Sequence, residues 1–270
     1  MFIKKTLLLL LTIGLLTLEA AFSQGSISLP EEHSIADHVP HYATKETTFE
    51  RVIAIGKNCL TKAQINLYFD PRHLEWPTKS GKSDIFDWAA IPNYQLLTSA
   101  LTHRLEGFYE REDFYMIANN IYGLTNKRNG VRWLHTLKKY EDQIPKNKID
   151  DGEFLLSVFH EHFEEEYSKA MKLKDRFLRA EHKKTLYIIS HAPGISLEQL
   201  LQLRDALLIA RNQNKQFAIL YVSKNQGTAD IENIFMREAK NVSEDTKLTL
   251  DPDCWRAIFS EFNFTDDIWE

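Results

Sequence analysis

The feature that most constrains the fold is a strand–helix–strand pattern in residues 184–223. The runs KTLYIIS (184–190) and FAILYVS (217–223) are short, apolar and rich in β-branched or aromatic residues, which is typical of buried strands. Between them, Ser196 and Gln199 match a helix capping box, and the leucines that follow give the helix an apolar face. Two strands joined through one helix by short links form a right-handed parallel crossover.

An earlier strand is predicted at RVIAIG (51–56), and a helix follows it at once, with Thr61–Gln64 as a second capping box. Two helical patterns, within 86–109 and over 153–179, separate this strand from the crossover. The sequence therefore predicts an α/β fold with an open, mainly parallel sheet covered by helices. A helical insertion is expected between the first strand and the later ones.

The two ends of the chain differ in character. Residues 1–23 combine two lysines, a short apolar run and small residues before Gln24, which is the pattern of a secretory signal peptide. The apolar run is shorter than a membrane-spanning helix needs, so no stable span is expected after cleavage. We therefore expect an exported protein, periplasmic or secreted, with an extended lead-in at 24–48 and a single α/β domain at 49–270. The tail should pack on that domain with Cys254 and Trp255 partly buried.

Charge and composition exclude several functional classes. The net charge of −5 and the scattered Lys and Arg argue against nucleic acid as a partner. The run HEHFEEE lacks the i, i+4 histidine pair of a zinc helix, and no phosphate-loop or flavin motif occurs. We therefore expect no metal and no cofactor. Two cysteines are too few for a disulfide scaffold, although one bridge from Cys59 to Cys254 remains open.

The strongest candidate for chemistry is Cys59, in the turn between the first strand and its helix. Ligands of open parallel sheets bind outside the carboxyl ends of the strands. A helix N-terminus there favours a thiolate, and the amide of Asn58 with nearby backbone N–H groups is suited to holding an oxyanion. Gly56 lets the backbone bend before the turn. The alternatives, a buried thiol or a disulfide, remain open from these residues alone.

A thiol nucleophile needs a base, and two histidines are placed for that role. His135 follows the apolar segment VRWL and His191 ends a strand, so both are expected near strand ends. Asp87 stands between Phe86 and Trp88, which indicates either a helix cap or a buried carboxylate that orients His135. Trp88 and His191 complete the predicted oxyanion and substrate-binding residues.

Taken in their order along the chain, these motifs resemble those of an uncharacterised bacterial family described as papain-like cysteine peptidases. The matching residues are Gly56–Cys59, Phe86–Trp88, His135 and the run YSKAMKLKDRFLR (167–179) before a strand. The resemblance covers about residues 50–223 and implies a cysteine-dependent hydrolase. It implies Cys59 as nucleophile and a histidine base, for which His135 is the match. The family follows its histidine with Asp, whereas this chain has Thr136, so the acid partner has to come from elsewhere.

Two other functions remain open at this point. A cysteine after the first strand of a parallel sheet also resembles cysteine-dependent acyltransferases that modify polysaccharides. The expected partner is thus a peptide or acyl-bearing substrate, with an envelope glycan as the alternative acceptor. The third hypothesis is a non-catalytic secreted interaction protein with a Cys59–Cys254 disulfide. The oligomeric state is left open.

Overall fold

The computed structural model describes most of the chain after its first 40 residues. The described residues are 41–56, 60–69, 83–87, 89–117, 121–190, 194–223, 227–239, 252–266 and 268. They belong to one compact unit, 40–270. The predicted signal peptide and most of the predicted lead-in lie outside the described residues.

This unit contains both helices and strands. The α-helices are α1 (Leu60–Phe69), α2 (Tyr94–Thr102), α3 (Gly152–Glu161), α4 (Phe163–Arg179), α5 (Leu197–Ala210) and α6 (Pro252–Phe259). The strands are β1 (Thr48–Phe49), β2 (Arg51–Ala54), β3 (Ala89–Ala90), β4 (Phe114–Met116), β5 (Leu124–Asn126), β6 (Arg132–Trp133), β7 (Thr185–Ser190), β8 (Phe217–Ser223), β9 (Ala229–Ile231), β10 (Ile234–Glu238) and β11 (Asn263–Phe264). Short 3-10 helices lie at Arg111–Asp113, Leu137–Gln143, Lys146–Lys148 and Ala180–His182.

The central sheet confirms the predicted α/β fold. It has five strands in the order β2-β7-β8-β10-β9, of which the first four run parallel and β9 is an antiparallel edge. Strands β7 and β8 are joined through α5, as the crossover pattern predicts. The capping box of α5 is present, because Ser196 accepts the N–H of Gln199 and the Gln199 side chain accepts the N–H of Ser196.

Side chains alternate strictly between the two faces of this sheet, since successive residues of a strand point to opposite sides. Val52, Leu186 and Ala218 are aligned across three strands and pack in the apolar cluster that contains α1 and α6 residues. The next row, which contains Tyr187, packs in the other cluster with the insertion, α4 and α5. Both faces are therefore covered, which explains why every residue of β7 is buried.

The insertion between β2 and β7 contains the predicted helices and an additional small sheet. The pattern at 153–179 forms two helices, α3 and α4, that meet at His162 rather than one long helix. Strands of two or three residues form a four-stranded sheet in the order β3-β6-β5-β4, whose paired strands are antiparallel. This sheet is what brings residues 87 and 135 to the same part of the fold.

The tail packs on the domain, as expected. Strand β11 pairs in parallel with β1, and α6 lies against the sheet beside α1. Trp255 is fully buried rather than partly buried, and Cys254 is half-buried. Cys254 is a free cysteine, so the bridge to Cys59 required by the third hypothesis is not formed in this structure.

Candidate active site

The carboxyl end of β2 is held by backbone and side-chain hydrogen bonds. The N–H of Ile55 donates to the carbonyl of Ile188 at 2.7 Å, and the carbonyl of Ile55 accepts the Tyr94 hydroxyl at 2.8 Å. Burial raises the pKa of that tyrosine, so its hydroxyl stays a donor. Gly56 follows and is buried. This network fixes the point at which the chain leaves the sheet toward α1.

Cys59 and Asn58, the predicted nucleophile and oxyanion residue, lie outside the described residues, as do Trp88 and His191. The residues on either side of them along the chain are described. Cys59 directly precedes Leu60, the first residue of α1. The N–H groups at the start of a helix are unsatisfied by the helix itself and carry a partial positive charge.

The first turn of α1 is tied to the end of β7. Thr61 was predicted to cap this helix, but α1 begins one residue earlier, so Thr61 lies within its first turn. Its hydroxyl is instead 2.6 Å from the hydroxyl of Ser190, and both residues are buried. Ser190 is the last residue of β7 and directly precedes His191. The carboxyl ends of the two neighbouring strands are therefore joined through α1.

Asp87 is anchored to the same turn of α1. Its Oδ2 atom is 2.8 Å from Nζ of Lys62, and the side chains of Lys62 and Asp87 are 3% and 0% exposed. The same oxygen accepts the N–H of Asp84 at 2.7 Å, and Oδ1 is buried with no hydrogen-bond partner. Asp87 is therefore a buried carboxylate, but neither oxygen is hydrogen-bonded to His135. The predicted orienting contact is replaced by an ion pair with Lys62, which sequence reasoning missed.

A second ion pair lies beside the first. Asp84 Oδ1 accepts from Nη2 of Arg51, whose Nη1 donates to the carbonyl of Arg176 at 3.0 Å. Burial, and after it the charge of Asp87, raises the pKa of Asp84 to about 6, although Arg51 opposes this. Arg51, Lys62, Asp84 and Asp87 thus form a charge cluster of two cations and two acids.

His135 reaches this region through the small antiparallel sheet. Ala89 pairs with Trp133 and Ala90 with Arg132, so Asp87 and His135 each lie two residues beyond the same end of the β3–β6 ladder. His135 is half-buried, with the Tyr122 ring edge-on to it at a centroid distance of 6.3 Å. Burial, and after it the charge of Lys138, lowers the pKa of His135. Its imidazole is therefore neutral at pH 7 and suited to accept a proton.

The structure thus brings together the segments that carry the candidates. The end of β2, the first turn of α1, the end of β7 and the Asp84–Asp87 turn are linked by direct hydrogen bonds or ion pairs. The β3–β6 ladder adds His135. Sequence reasoning missed Lys62, Asp84 and Ser190. The one available signal was the position of Lys62, three residues after Cys59 in an otherwise uncharged helical turn.

Among the described residues, no three or more His, Cys, Asp and Glu side chains are grouped so that they could hold a metal ion. Over the same part of the chain, every helix is too short or too polar to cross a membrane.

Comparison with known proteins adds no assignment, because no family model, curated protein or solved structure matches this chain.

Proposed function

We propose that the chain is an exported cysteine-dependent hydrolase in which Cys59 attacks an acyl or amide carbon and His135 is the base. The observation that carries this proposal is the series of contacts that connects the Cys59 segment with the His135 segment. The helix that follows Cys59 is joined to Asp87 by an ion pair of 2.8 Å, and the β3–β6 ladder ties the neighbourhood of Asp87 to that of His135.

Two features of the environment support the nucleophile and the base. Helix α1 has ten residues, and the partial positive charge at its N-terminus favours a thiolate on the preceding residue, Cys59. The lowered pKa of His135 keeps its imidazole unprotonated at neutral pH, when a proton acceptor is needed. A carboxyl-edge position is also where open α/β sheets bind ligands.

The proposed reaction has two steps. The Cys59 sulfur forms a bond to the acyl carbon while its proton passes to His135, which then gives that proton to the departing amine or alkoxide. A thioester remains on Cys59. Water attacks this thioester, gives its proton to His135, and the thiol is regenerated as the acid leaves. The first turn of α1 and Asn58 are assigned to the oxyanion that forms in each step.

A second acceptor is compatible with the same thioester. The sheet is mainly parallel rather than split into helical and β-rich halves, and this favours comparison with cysteine-dependent acyltransferases as much as with papain. In that case a glycan hydroxyl replaces water in the second step. Hydrolysis and transfer differ in the product only, so both depend on the same Cys59 nucleophile.

The test is the rate of Cys59 alkylation by iodoacetamide between pH 5 and 9, measured by mass spectrometry in a Cys254→Ala background. We expect Cys59 to react with an apparent pKa below the value of about 8.5 of a free thiol. His135→Ala should lower the rate at pH 7 by about tenfold or more, within the range that a positioned base contributes. The matched control is His182→Ala, because the His182 side chain is 80% exposed and lies on the 3-10 helix after α4.

An ordinary thiol titration in the parent protein, or equal effects of the two histidine changes, would refute the catalytic assignment. The Cys254→Ala substitution is a suitable background for this experiment, because Cys254 is a free cysteine and its replacement breaks no disulfide.

A further inference from the structure

A cleft of about 500 Å³ runs along the outer side of β2. Strand β2 is an edge of the central sheet, and its hydrogen-bonded neighbour there is β7. The walls are formed by the start of β2, the Lys62 side chain of α1, Asp84 and the C-terminal half of α4. We call this cavity the basic cleft, because most of its charged lining residues are Lys or Arg.

The charge of the cleft is opposite to that of the whole protein. Six of its eleven lining residues are Lys or Arg and three are Asp or Glu, which gives a formal charge of +3 in a chain of net charge −5. Lys172, Arg176 and Arg179 recur at i, i+4 and i+7 of α4 and therefore share one face of that helix. Lys183, just beyond the helix, extends the same row.

Half of these cations are already engaged within the protein. Arg51 pairs with Asp84, Lys62 pairs with Asp87, and Nη1 of Arg176 donates to the carbonyl of Ser83 at 2.6 Å. These three side chains are therefore less available to a ligand than the other cations of the cleft.

The other three cations are not engaged. In the described part of the chain, Lys172, Arg179 and Lys183 make no ion pair with an acidic side chain, and all three are exposed. Of the acids in the cleft, Asp84 is held by Arg51 and Glu50 accepts the N–H of Lys184. The third acid, Asp175, is exposed and makes no ion pair in the described part of the chain, so the three free cations exceed it in number. A concave surface on which free charges of one sign are in excess concentrates counter-ions of the other sign.

We propose that the basic cleft binds a small polyanion that carries two or more phosphate groups. From Lys172 to Arg179 the helix rises by about 10 Å, at 1.5 Å per residue, so the row of cations is longer than one phosphate group. Arg179 offers the planar fork that binds a phosphate through two parallel hydrogen bonds. The two exposed lysines supply point charges at the ends of the row. The cleft shares Lys62 and Asp84 with the charge cluster beside the proposed active site, but its free cations lie on α4 and just after it, so this proposal does not depend on Cys59.

The experiment is isothermal titration calorimetry of the full chain with sodium tripolyphosphate, pyrophosphate and citrate at one fixed ionic strength. We expect saturable 1:1 binding that is tightest for tripolyphosphate and weaker for pyrophosphate. Citrate separates phosphate recognition from general attraction to carboxylates, and it should bind at least tenfold more weakly than tripolyphosphate. Citrate binding of equal strength would overturn the phosphate assignment.

A pair of matched double variants tests the location. Lys172→Gln with Arg179→Gln should weaken tripolyphosphate binding at least tenfold. Lys174→Gln with Lys146→Gln removes the same total charge from residues outside the cleft and should change the dissociation constant less than twofold. Because all four residues are solvent-accessible, we expect each variant to keep the parent melting temperature. Equal losses in the two variants, or no saturable binding by the parent, would overturn the proposal.

Discussion

The buried ion pair between Lys62 and Asp87 makes a quantitative prediction about stability. Lys62→Met keeps most of the apolar stem but removes the ammonium group, which leaves the carboxylate of Asp87 buried at 0% exposure. Removing one partner of a buried pair typically costs about 3–5 kcal/mol, because the remaining charge is neither solvated nor compensated. We therefore expect the free energy of unfolding to fall by about that amount, measured by urea denaturation followed by tryptophan fluorescence.

A second substitution separates the charge effect from a loss of packing. Adding Asp87→Asn to Lys62→Met removes the uncompensated charge but leaves an amide oxygen that can accept the N–H of Asp84. The double variant should therefore regain at least half of the lost stability. The control is Arg256→Gln, which breaks an exposed pair with Asp253 and should cost less than about 1 kcal/mol. A cost below about 1 kcal/mol for Lys62→Met, or no recovery in the double variant, would refute this reasoning.

Two further predictions concern pH. The folded chain raises the pKa of Asp84 from 3.8 to about 6, so at Asp84 it binds a proton more tightly than the unfolded chain does. As pH rises from about 4 to 6, the wild type should therefore lose stability relative to Asp84→Asn. The melting temperatures of both proteins across that window measure this loss, and a constant difference between them would contradict the prediction. Lys138→Gln should raise the pKa of His135 in an NMR titration, because the charge of Lys138 lowers that pKa. The control, Lys146→Gln, should leave the pKa of His135 unchanged, because Lys146 is not among the groups that shift it.

The central sheet was predictable because its residues satisfy two local rules together. The runs that became β7 and β8 are apolar throughout, as strands covered on both faces must be, and each is followed or preceded by turn residues. The helix between them carries a complete capping box, so its start was predicted from Ser196 and Gln199 alone. These signals are local in sequence, and packing did not override them.

The insertion was less predictable because its sheet is built from very short strands. The pairing of Ala89–Ala90 with Arg132–Trp133 involves two residues on each side, which is too short for any alternation pattern to appear. Its partners are more than 40 positions apart, so only the tertiary structure shows that they meet. The break between α3 and α4 at His162 is equally hidden, since apolar residues continue at helical spacing on both sides.

The buried arginine Arg211 is another feature that residue type alone would not predict. It is 2% exposed, although arginine is almost never fully buried without partners. Its guanidinium donates to backbone carbonyls that include those of Ala180 at 2.7 Å and Lys183 at 2.8 Å. These carbonyls lie in the segment between α4 and β7. The arginine supplies the hydrogen-bond donors that these carbonyl oxygens need when they are buried.

The site differs from the sequence prediction in the role of its acid, and this changes the proposed chemistry. The Oδ2 atom of Asp87 is engaged by Lys62 and by the Asp84 N–H, and Thr136 stands where the resembling family has Asp. Burial, and after it the charge of Lys138, lowers the pKa of His135 rather than raising it. A preformed thiolate–imidazolium pair would require the opposite shift. Our proposal therefore favours His135 as a neutral base that takes the Cys59 proton during attack, with the α1 N-terminus stabilising the negative charge on sulfur.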